Sequence, residues 1–381
     1  MEIELSEEQE LLRETVRRFA REVVAPRAKQ IDASGEFPLA TFRQAAELGL
    51  AGVCVPEELG GAGMEMIAYC VAIEEISKVC ASTGVILSVN NSLVCDPLLR
   101  FANDEQKRQF LAPLAAGAKL GCFALTEPEA GSDAAALRSR ARRDGDRYVL
   151  DGDKVFITNG THADVALVFA STDPEKKHRG ISCFVVPCDT PGFRRGEHEY
   201  KLGVQASGTT QLFFDAMSVP AAWRLGEEGA GFKIAMSTLD GGRIGIAAQA
   251  VGIAQGAFEA ALAYAQERQQ FGQPISKFQA IQFYLADMAM ELDAARLLVY
   301  KAAWAKETQK RYSLEAAQAK LFASEMAQRV TNKALQIHGG YGYTREYDVE
   351  RFFRDARITE IYEGTSEIQK LVIADWILKA G

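Results

Sequence analysis

Three polar, glycine-containing segments carry the side chains of this sequence that could do chemistry. They span residues 126–133, 156–160 and 361–366, and each combines hydroxyl groups with glycine. Backbone N–H groups at the ends of helices and strands can approach a ligand closely, and an anion in particular. Each segment, taken alone, could equally be an ordinary turn.

Other catalytic motifs are missing from the sequence. No Gly-x-Gly-x-x-Gly follows a predicted strand, and neither a Gly-x-Ser-x-Gly elbow nor a P-loop occurs. We interpret the four histidines as surface or packing residues, because none has the spacing of a metal site. The sequence therefore favours neither metal catalysis nor a Rossmann-type dinucleotide site.

The composition indicates a globular protein with more than one structural unit. The 381 residues are 48% hydrophobic and 25% charged, with a formal net charge of -8. This acidic balance disfavours nucleic-acid binding. Seven cysteines without Cys-x-x-Cys spacing indicate buried thiols in a reducing compartment.

The N-terminus, Met1-Glu2-Ile3, is acidic and lacks the pattern of a signal or transit peptide. No apolar run reaches the roughly 18–20 residues that a membrane span requires. We therefore expect no membrane insertion. Because the initiator Met leads directly into a predicted helix, we expect a bacterial cytoplasmic location.

Hydrophobic periodicity and turn signals divide the chain into three predicted domains, an α+β multidomain architecture. Residues 1–120 form a helical domain, whose first helix opens with a capping box at Ser6 and runs to about Pro26. Residues 121–226 contain short β-branched and aromatic runs separated by Asp-Gly pairs, which predicts an antiparallel β-sandwich or barrel.

Residues 227–381 return to the helical period. Its clearest stripe starts at Ile281 and has the 4-3-4-3 spacing of helix-on-helix packing, which predicts a four-helix-like bundle. A second capping box, starting at Ser366, is expected to open the last helix.

The three polar segments and further motifs, all in the same order, resemble the acyl-CoA dehydrogenase family over essentially the whole chain. The additional matching motifs are Glu267-Arg268-Gln269-Gln270-Phe271-Gly272, residues 336–343 and Arg354-Asp355-Ala356-Arg357. Residues 239–247 look like the short-chain, or butyryl-CoA, branch.

The resemblance implies α,β-desaturation of an acyl-CoA thioester with FAD, in which Glu363 removes the α proton and flavin N5 accepts the β hydride. Such a proton is too weakly acidic for a carboxylate in water, so the site must desolvate the base and stabilise the developing enolate. Gly364 then lets the backbone lie close to the substrate. The alternative for Glu363 is an exposed carboxylate ahead of a helix.

Some branches of the family carry the base at the position that matches Gly242. A glycine cannot serve as a base, so Glu363 has no competitor there. By the same resemblance Asp240 and Arg243 border the acyl-CoA site, although a plain i,i+3 ion pair remains an alternative for them.

The resemblance also assigns the FAD contacts. Phe156 and Thr158 belong at the flavin face and N5 edge, where the family often has Trp in place of Phe156, and Ser132 also contacts the substrate. The remaining predicted contacts along the isoalloxazine and pyrophosphate are Phe123, Leu125 and Thr126.

A further group resembles the segments that hold FAD across a subunit interface, which implies a homotetramer built as a dimer of dimers. Arg268 suits the pyrophosphate because its fork reaches two oxygens, although a solvated helix residue is the alternative. The other members of the group are Phe271, Gln279, Gln336, Gly339 and Gly340, with Thr365 and Glu367 at the adenosine-phosphate end.

The family implies an electron-transfer flavoprotein as electron acceptor. Two rival interpretations are a flavin oxidase of the same fold and a non-catalytic relative that binds FAD or nucleic acid. Loss of the carboxylate at position 363 and a basic face would mark the non-catalytic relative, and this chain shows neither. A preference for short acyl chains is the weaker inference.

Overall fold

A computed structural model describes residues 4–379, so Met1–Ile3 of the predicted acidic N-terminus lie outside the described residues. Helices make up the first part of the chain, a sheet the middle and long helices the last. The first part contains α1 (Glu7–Phe19), α2 (Ala25–Ser34), α3 (Leu39–Glu47), α4 (Met66–Ser77), α5 (Ala81–Ser88), α6 (Asp96–Phe101), α7 (Asp104–Gln106) and α8 (Ala112–Ala115).

The first helix begins as predicted but does not end at Pro26. The Ser6 side chain accepts from the backbone N–H of Gln9 in a complete capping box. A π-helical turn, Ala20–Val24, then joins α1 to α2, and the helical path ends at a left-handed Gly35. Proline lacks an N–H and its ring clashes with the carbonyl four residues earlier, so the wider turn lets the chain continue past it.

The middle part is a sheet of eight strands in which most neighbours run antiparallel. Its path is β6-β7-β3-β2-β4-β5-β8, with β1 added beside β4. The strands are β1 (Gly121–Ala124), β2 (Arg140–Asp144), β3 (Arg147–Ile157), β4 (Val165–Ser171), β5 (Ile181–Pro187), β6 (Phe193–His198), β7 (Thr210–Pro220) and β8 (Arg224–Leu225).

The prediction of a wholly antiparallel sheet was wrong in one respect. Strand β1 pairs with β4 in parallel, from Gly121 opposite Val165 to Ala124 opposite Val168, and β2 also meets β4 in parallel. The parallel pairing is possible because the chain between β1 and β4 is long enough to cross over.

The sheet encloses a core of its own and also packs against helices. Leu150, Val168, Phe184 and Met217 come from four strands and share one buried cluster, as in a sandwich. The opposite face of β4 and β5 packs against helical side chains such as Ile234. This second contact joins the sheet to both helical parts.

The last part is dominated by long helices. It contains α9 (Gly231–Glu267), the short strands β9 (Gln269–Gln270) and β10 (Gln273–Pro274), α10 (Gln279–Thr308), α11 (Ser313–His338), α12 (Val349–Arg357) and α13 (Ser366–Lys379). The predicted stripe of α10 is buried from Met288 to Ala302, while Ile281 and Leu285 are only partly buried.

Helix α9 is the one described helix that is long and apolar enough to cross a membrane by length and composition. This differs from the sequence-based expectation that no such segment exists. In the protein, 67% of its most apolar window is buried. The apolar surface of α9 therefore forms protein core, packed against α4, α10 and α11.

Two residues of α12 tie the three parts of the chain together. Arg354 donates to the Asp32 carboxylate of α2 at 2.7 Å, and the Asp355 carboxylate accepts from the backbone N–H of Val204 at 2.6 Å. The motif that contains them therefore has a structural role in joining the parts.

Candidate active site

Glu363 lies on a left-handed turn directly before α13. Its φ is +53°, and that of Gly364 is +92°. A Cβ added to Gly364 would lie 2.7 Å from Nε2 of Gln369. Both the backbone conformation and the close approach therefore require glycine at position 364.

Side chains from three helices hold the turn by its carbonyl groups. The carbonyl of Gly364 accepts from Lys320 Nζ at 2.7 Å and from Gln369 Nε2 at 2.9 Å. The carbonyl of Glu363 accepts from Gln369 at 3.2 Å and from Arg243 Nε at 3.4 Å. The turn that carries Glu363 is thus held on a rigid support, even though it lies in a loop.

The predicted capping box at Ser366 is replaced by an N-cap hydrogen bond one residue earlier. The Oγ1 of Thr365, and not that of Ser366, accepts from the backbone N–H of Ile368. The Ser366 hydroxyl is buried without a hydrogen-bond partner in the described part of the chain. Thr365 is therefore the N-cap residue, which leaves Glu363 and Gly364 outside the helix.

The Glu363 carboxyl lies in a poorly solvated environment. Its Oε2 is buried and has no hydrogen-bond partner among residues 4–379. Burial raises the pKa of Glu363 to about 8, against the opposing effect of Lys320 and then Arg243. This environment contradicts the alternative of an exposed carboxylate and suits a general base that works near neutral pH.

An apolar wall accompanies the base. Val89 and Leu93 of the first part pack with Ile246 of α9, and the rings of Phe123 and Tyr362 lie against this cluster. The Tyr362 hydroxyl donates to Gln249. The wall connects the turn that carries Glu363 to the start of the sheet, where Phe123 is one of the predicted flavin contacts.

Asp240 and Arg243 are paired with each other, and Arg243 also reaches the turn that carries Glu363. They form the i,i+3 ion pair, with 2.7 Å between Arg243 Nη1 and Asp240 Oδ1. Arg243 also reaches the carbonyl of Glu363 and is buried. The pair therefore lies in the site itself.

The two predicted flavin segments of the sheet domain meet through one buried ion pair. Lys154 Nζ donates to Glu127 at 2.7 Å and to the carbonyl of Leu125 at 3.1 Å. The backbone N–H of Val155 donates to the carbonyl of Thr126 at 2.9 Å. The end of β1 and the end of β3 are thereby held side by side.

The chain beyond Lys154 leaves an aromatic ring exposed at the end of β3. Phe156 has a φ of +58°, and 68% of its surface is exposed, although it lies at the end of a strand in a well-packed sheet. Thr158, two residues further on, is half-buried. An exposed ring on a strained backbone is typical of a contact surface for a cofactor.

Ser132 lies on an exposed loop beside a basic cavity. The Glu127 carboxylate closes the loop by accepting from the backbone N–H groups of Arg138 and Ser139. The neighbouring cavity has a volume of about 620 Å³. Its lining includes the charged residues Asp133, Arg138, Arg140 and Lys177, together with His178.

The predicted interface group is divided within one chain: Thr365 and Glu367 lie just after Glu363, whereas the other members belong to different segments. Arg268 lies over the Tyr341 ring, 5.2 Å from its centroid, and Phe271 is 93% exposed. Gln279, Gln336, Gly339 and Gly340 are exposed as well, as is Glu367 at the start of α13. No hydrogen bond or ion pair described for residues 4–379 joins Arg268, Phe271 or Gln279 to Glu363.

Two buried charged groups of the site were not predicted from the sequence. Lys320 is buried in the alanine-rich face of α11, and Lys154 is buried within β3. The signal available in the sequence was a single lysine within an otherwise small and apolar stripe. That signal identifies an unusual residue but not its partner, because the partner is distant in sequence.

The fold and the site define a class of protein in which a sheet domain lies between two helical domains and a carboxyl group with a raised pKa lies beside α9 and α11. Family models describing the acyl-CoA dehydrogenase N-terminal, middle and C-terminal domains match residues 6–118, 122–217 and 229–378.

Individual relatives give the same result. The chain is 54% identical over 378 residues to the short-chain specific acyl-CoA dehydrogenase, mitochondrial, of Bos taurus, covering 99% of this chain and 92% of the relative. Butyryl-CoA dehydrogenase from Megasphaera elsdenii matches with a TM-score of 0.98 and 46% identity, over 99% of this chain and 100% of that one. A chain in a structure described as the electron transferring flavoprotein of Acidaminococcus fermentans matches with a TM-score of 0.98 and 48% identity, over 100% of both chains.

The chain belongs to the acyl-CoA dehydrogenase family. The predicted family and its helical, sheet and helical fold are therefore confirmed, and so is the predicted class of FAD-dependent oxidoreductase.

Proposed function

We propose that this protein dehydrogenates short- to medium-chain acyl-CoA thioesters to trans-2-enoyl-CoA, with Glu363 as the base that removes the α proton. When bound, FAD supplies the acceptor for the β hydride at its N5. The proton passes to Glu363, so the C–H bonds at the α and β carbons are replaced by the double bond. The similarity to short-chain and butyryl-CoA dehydrogenases supports this substrate class.

The observation that carries the proposal is the unpartnered carboxylate oxygen of Glu363. A buried acceptor without a hydrogen bond is costly, and a substrate C–H group presented to it would give that oxygen a role. The pKa of about 8 makes the carboxylate a stronger base than one in water. The rigid turn fixes the direction in which it acts.

The residues of the sheet domain fit a flavin. The exposed Phe156 ring offers an apolar face. Thr126 and Thr158, just after strands β1 and β3, offer hydroxyl and backbone groups. We assign Phe123, Leu125, Thr126, Ser132, Phe156 and Thr158 to this cofactor. The basic cavity beside Ser132 suits the phosphates of the CoA moiety, because Arg138 and Arg140 carry permanent positive charge.

We propose that the exposed group at Arg268 completes the FAD site of a second subunit in a homotetramer. Several members of this group are exposed, which supports a role between chains. They are Phe271, Gln279 and the Gly339-Gly340 segment. We further propose an electron-transfer flavoprotein as acceptor, a bacterial cytoplasmic location, and domain boundaries after residues 120 and 226. The gaps between α8 and β1 and between β8 and α9 support these boundaries.

Anaerobic titration with butyryl-CoA tests the proposed function. The flavin of the native protein should bleach and reoxidise slowly in air, whereas Glu363→Gln should stay yellow and lose roughly two to four orders of magnitude in rate. Glu346→Gln, which changes an exposed carboxylate, is the matched control. Rapid reoxidation by oxygen would instead favour an oxidase, and near-native turnover of Glu363→Gln would refute the assignment of the base.

A further inference from the structure

Lys320 of α11 is a buried lysine next to the base whose charge no contacting carboxylate neutralises. Its side chain is 0% exposed, and its hydrogen bond runs 2.7 Å from Nζ to the carbonyl of Gly364. Among residues 4–379, no acidic oxygen lies within 4.0 Å of this ammonium group. Burying an ammonium group without a direct counter-ion is costly, so its position next to the base calls for a functional explanation.

The charged groups that face Lys320 come from each of the packed elements. Glu363 is on the base-carrying turn, Arg243 on α9, Glu360 on the preceding turn and Glu367 on α13. Burial lowers the pKa of Lys320 to about 8, and the strongest opposing effect comes from Glu363. In the opposite direction, Lys320 is the strongest charge that lowers the pKa of Glu363.

This arrangement lets the charge of Lys320 stabilise the Glu363 carboxylate without a hydrogen bond to its oxygens. A direct salt bridge would engage the carboxylate lone pairs and hold Glu363 away from a substrate. Lys320 instead binds the neighbouring carbonyl, and Oε2 of Glu363 keeps no hydrogen-bond partner in the described chain. The oxygen that must accept a proton therefore remains available.

We propose that Lys320 is a positioning residue for the base: it fixes the Gly364 carbonyl, and with it the turn that carries Glu363, and its charge favours the carboxylate form of Glu363. This inference rests on the proposed function. It assigns two separable effects to one side chain, the hydrogen bond that holds the turn and the charge that stabilises the anion.

Two substitutions separate these effects. Lys320→Gln removes the charge and keeps a hydrogen-bond donor, whereas Lys320→Met removes both and leaves an apolar side chain that is compatible with burial. Lys370→Met is the matched control, because it removes an exposed lysine that joins α13 to Glu325 of α11 at 3.1 Å. The readout is the rate of anaerobic flavin reduction by butyryl-CoA between pH 6 and pH 9.5.

Loss of the charge should raise the pKa of Glu363 and move the acid limb of the rate profile upward by about one pH unit in both Lys320 variants. Rates on that limb should fall about tenfold. Lys320→Gln should recover the native maximum at high pH, while Lys320→Met should have a lower maximum at every pH. The Lys370→Met profile should match that of the native protein.

An unshifted limb in Lys320→Gln would overturn the inference, as would a loss of rate that is the same at every pH. If Lys320→Met does not fold, Lys320→Gln alone decides the effect of charge. Failure of butyryl-CoA to bleach the native protein would instead overturn the proposed function itself. Native bleaching with unshifted Lys320 variants would overturn only the role of Lys320.

Discussion

A Cβ atom on Gly242 would lie 2.0 Å from Oε2 of Glu363, closer than any real Cβ contact. This added Cβ would also lie 2.6 Å from Cδ2 of Leu93. Gly242 on α9 therefore leaves room for the side chain of Glu363. The two positions, 242 and 363, which match those where the family carries a base, face each other in this chain. The presence of one excludes a side chain at the other.

Gly242→Ala should slow turnover while the protein stays folded. The methyl group meets the mobile ends of Glu363 and Leu93, so these side chains can move, but the carboxyl then leaves its working position. A displacement of about 1 Å can cost roughly 100-fold in rate. Steady-state kinetics with butyryl-CoA would measure the loss.

Gly241→Ala is the control for that experiment. Its Cβ would approach the flexible end of Lys306, at 3.0 Å from Nζ, and would lie 3.7 Å from the Tyr312 hydroxyl. We expect a much smaller change in rate, because no contact with Glu363 is involved. Equal losses in the two variants would show that helix packing, and not the position of the base, limits activity.

The pKa of Glu363 predicts the pH dependence of the reaction. The Glu363 carboxyl has a pKa of about 8 in the protein without substrate. The second-order rate constant for flavin reduction should therefore rise about tenfold per pH unit below that value. It should level off above it. Stopped-flow measurements at low butyryl-CoA concentration would record the profile, and a rate that is flat from pH 6 to pH 8 would contradict it.

The same shift predicts a change in thermal stability. The pKa of Glu363 in the folded state lies above its ordinary value of 4.5, so the stability it contributes is present below pH 4.5 and is lost as the pH rises through 8. Glu363→Gln, which cannot ionise, should therefore melt higher than the native protein at pH 8.

At pH 5 that difference should largely disappear, because native Glu363 is then protonated. Thermal melts of the flavin-loaded proteins at the two pH values would test this. Glu346→Gln, at an exposed position, should melt like the native protein at both. If the difference in melting temperature between Glu363→Gln and the native protein is the same at pH 5 and pH 8, the raised pKa of Glu363 is contradicted.

The buried Lys154–Glu127 pair should couple stability to flavin binding. Lys154→Met leaves the Glu127 carboxylate buried without its cation, which typically costs about 3–5 kcal/mol. The combined Lys154→Met and Glu127→Gln variant should recover part of that loss, because both charges are then removed. Denaturant unfolding of the two variants would measure the recovery.

Reconstitution of the flavin-free proteins with FAD would show the second effect. Glu127 closes the loop that carries Ser132, and Lys154 holds the carbonyl of Leu125, so the single variant should bind FAD more weakly. Native affinity in Lys154→Met would mean that the pair stabilises the sheet without positioning the flavin segments.

The sequence predicted the three-part architecture, and its resemblance to a known family predicted Glu363 as the base. Capping at Ser6, the stripe of α10 and the β-branched runs of the sheet are local patterns, and local patterns encode the period of a helix or strand. The path beyond Pro26 and the parallel pairing of β1 with β4 were not predictable, because each depends on contacts that only the packed chain makes.

The surroundings of Glu363 are set by tertiary packing and could not be predicted from the sequence. Glu363 lies next to Gly242 and Arg243 of α9, and the charge of Lys320 on α11 acts on it without a direct ion pair. Burial and the distances between charges set the pKa of a carboxyl, and neither is a property of neighbouring residues in the sequence. The resemblance therefore predicted Glu363, while packing provides the burial and the raised pKa that support this proposal.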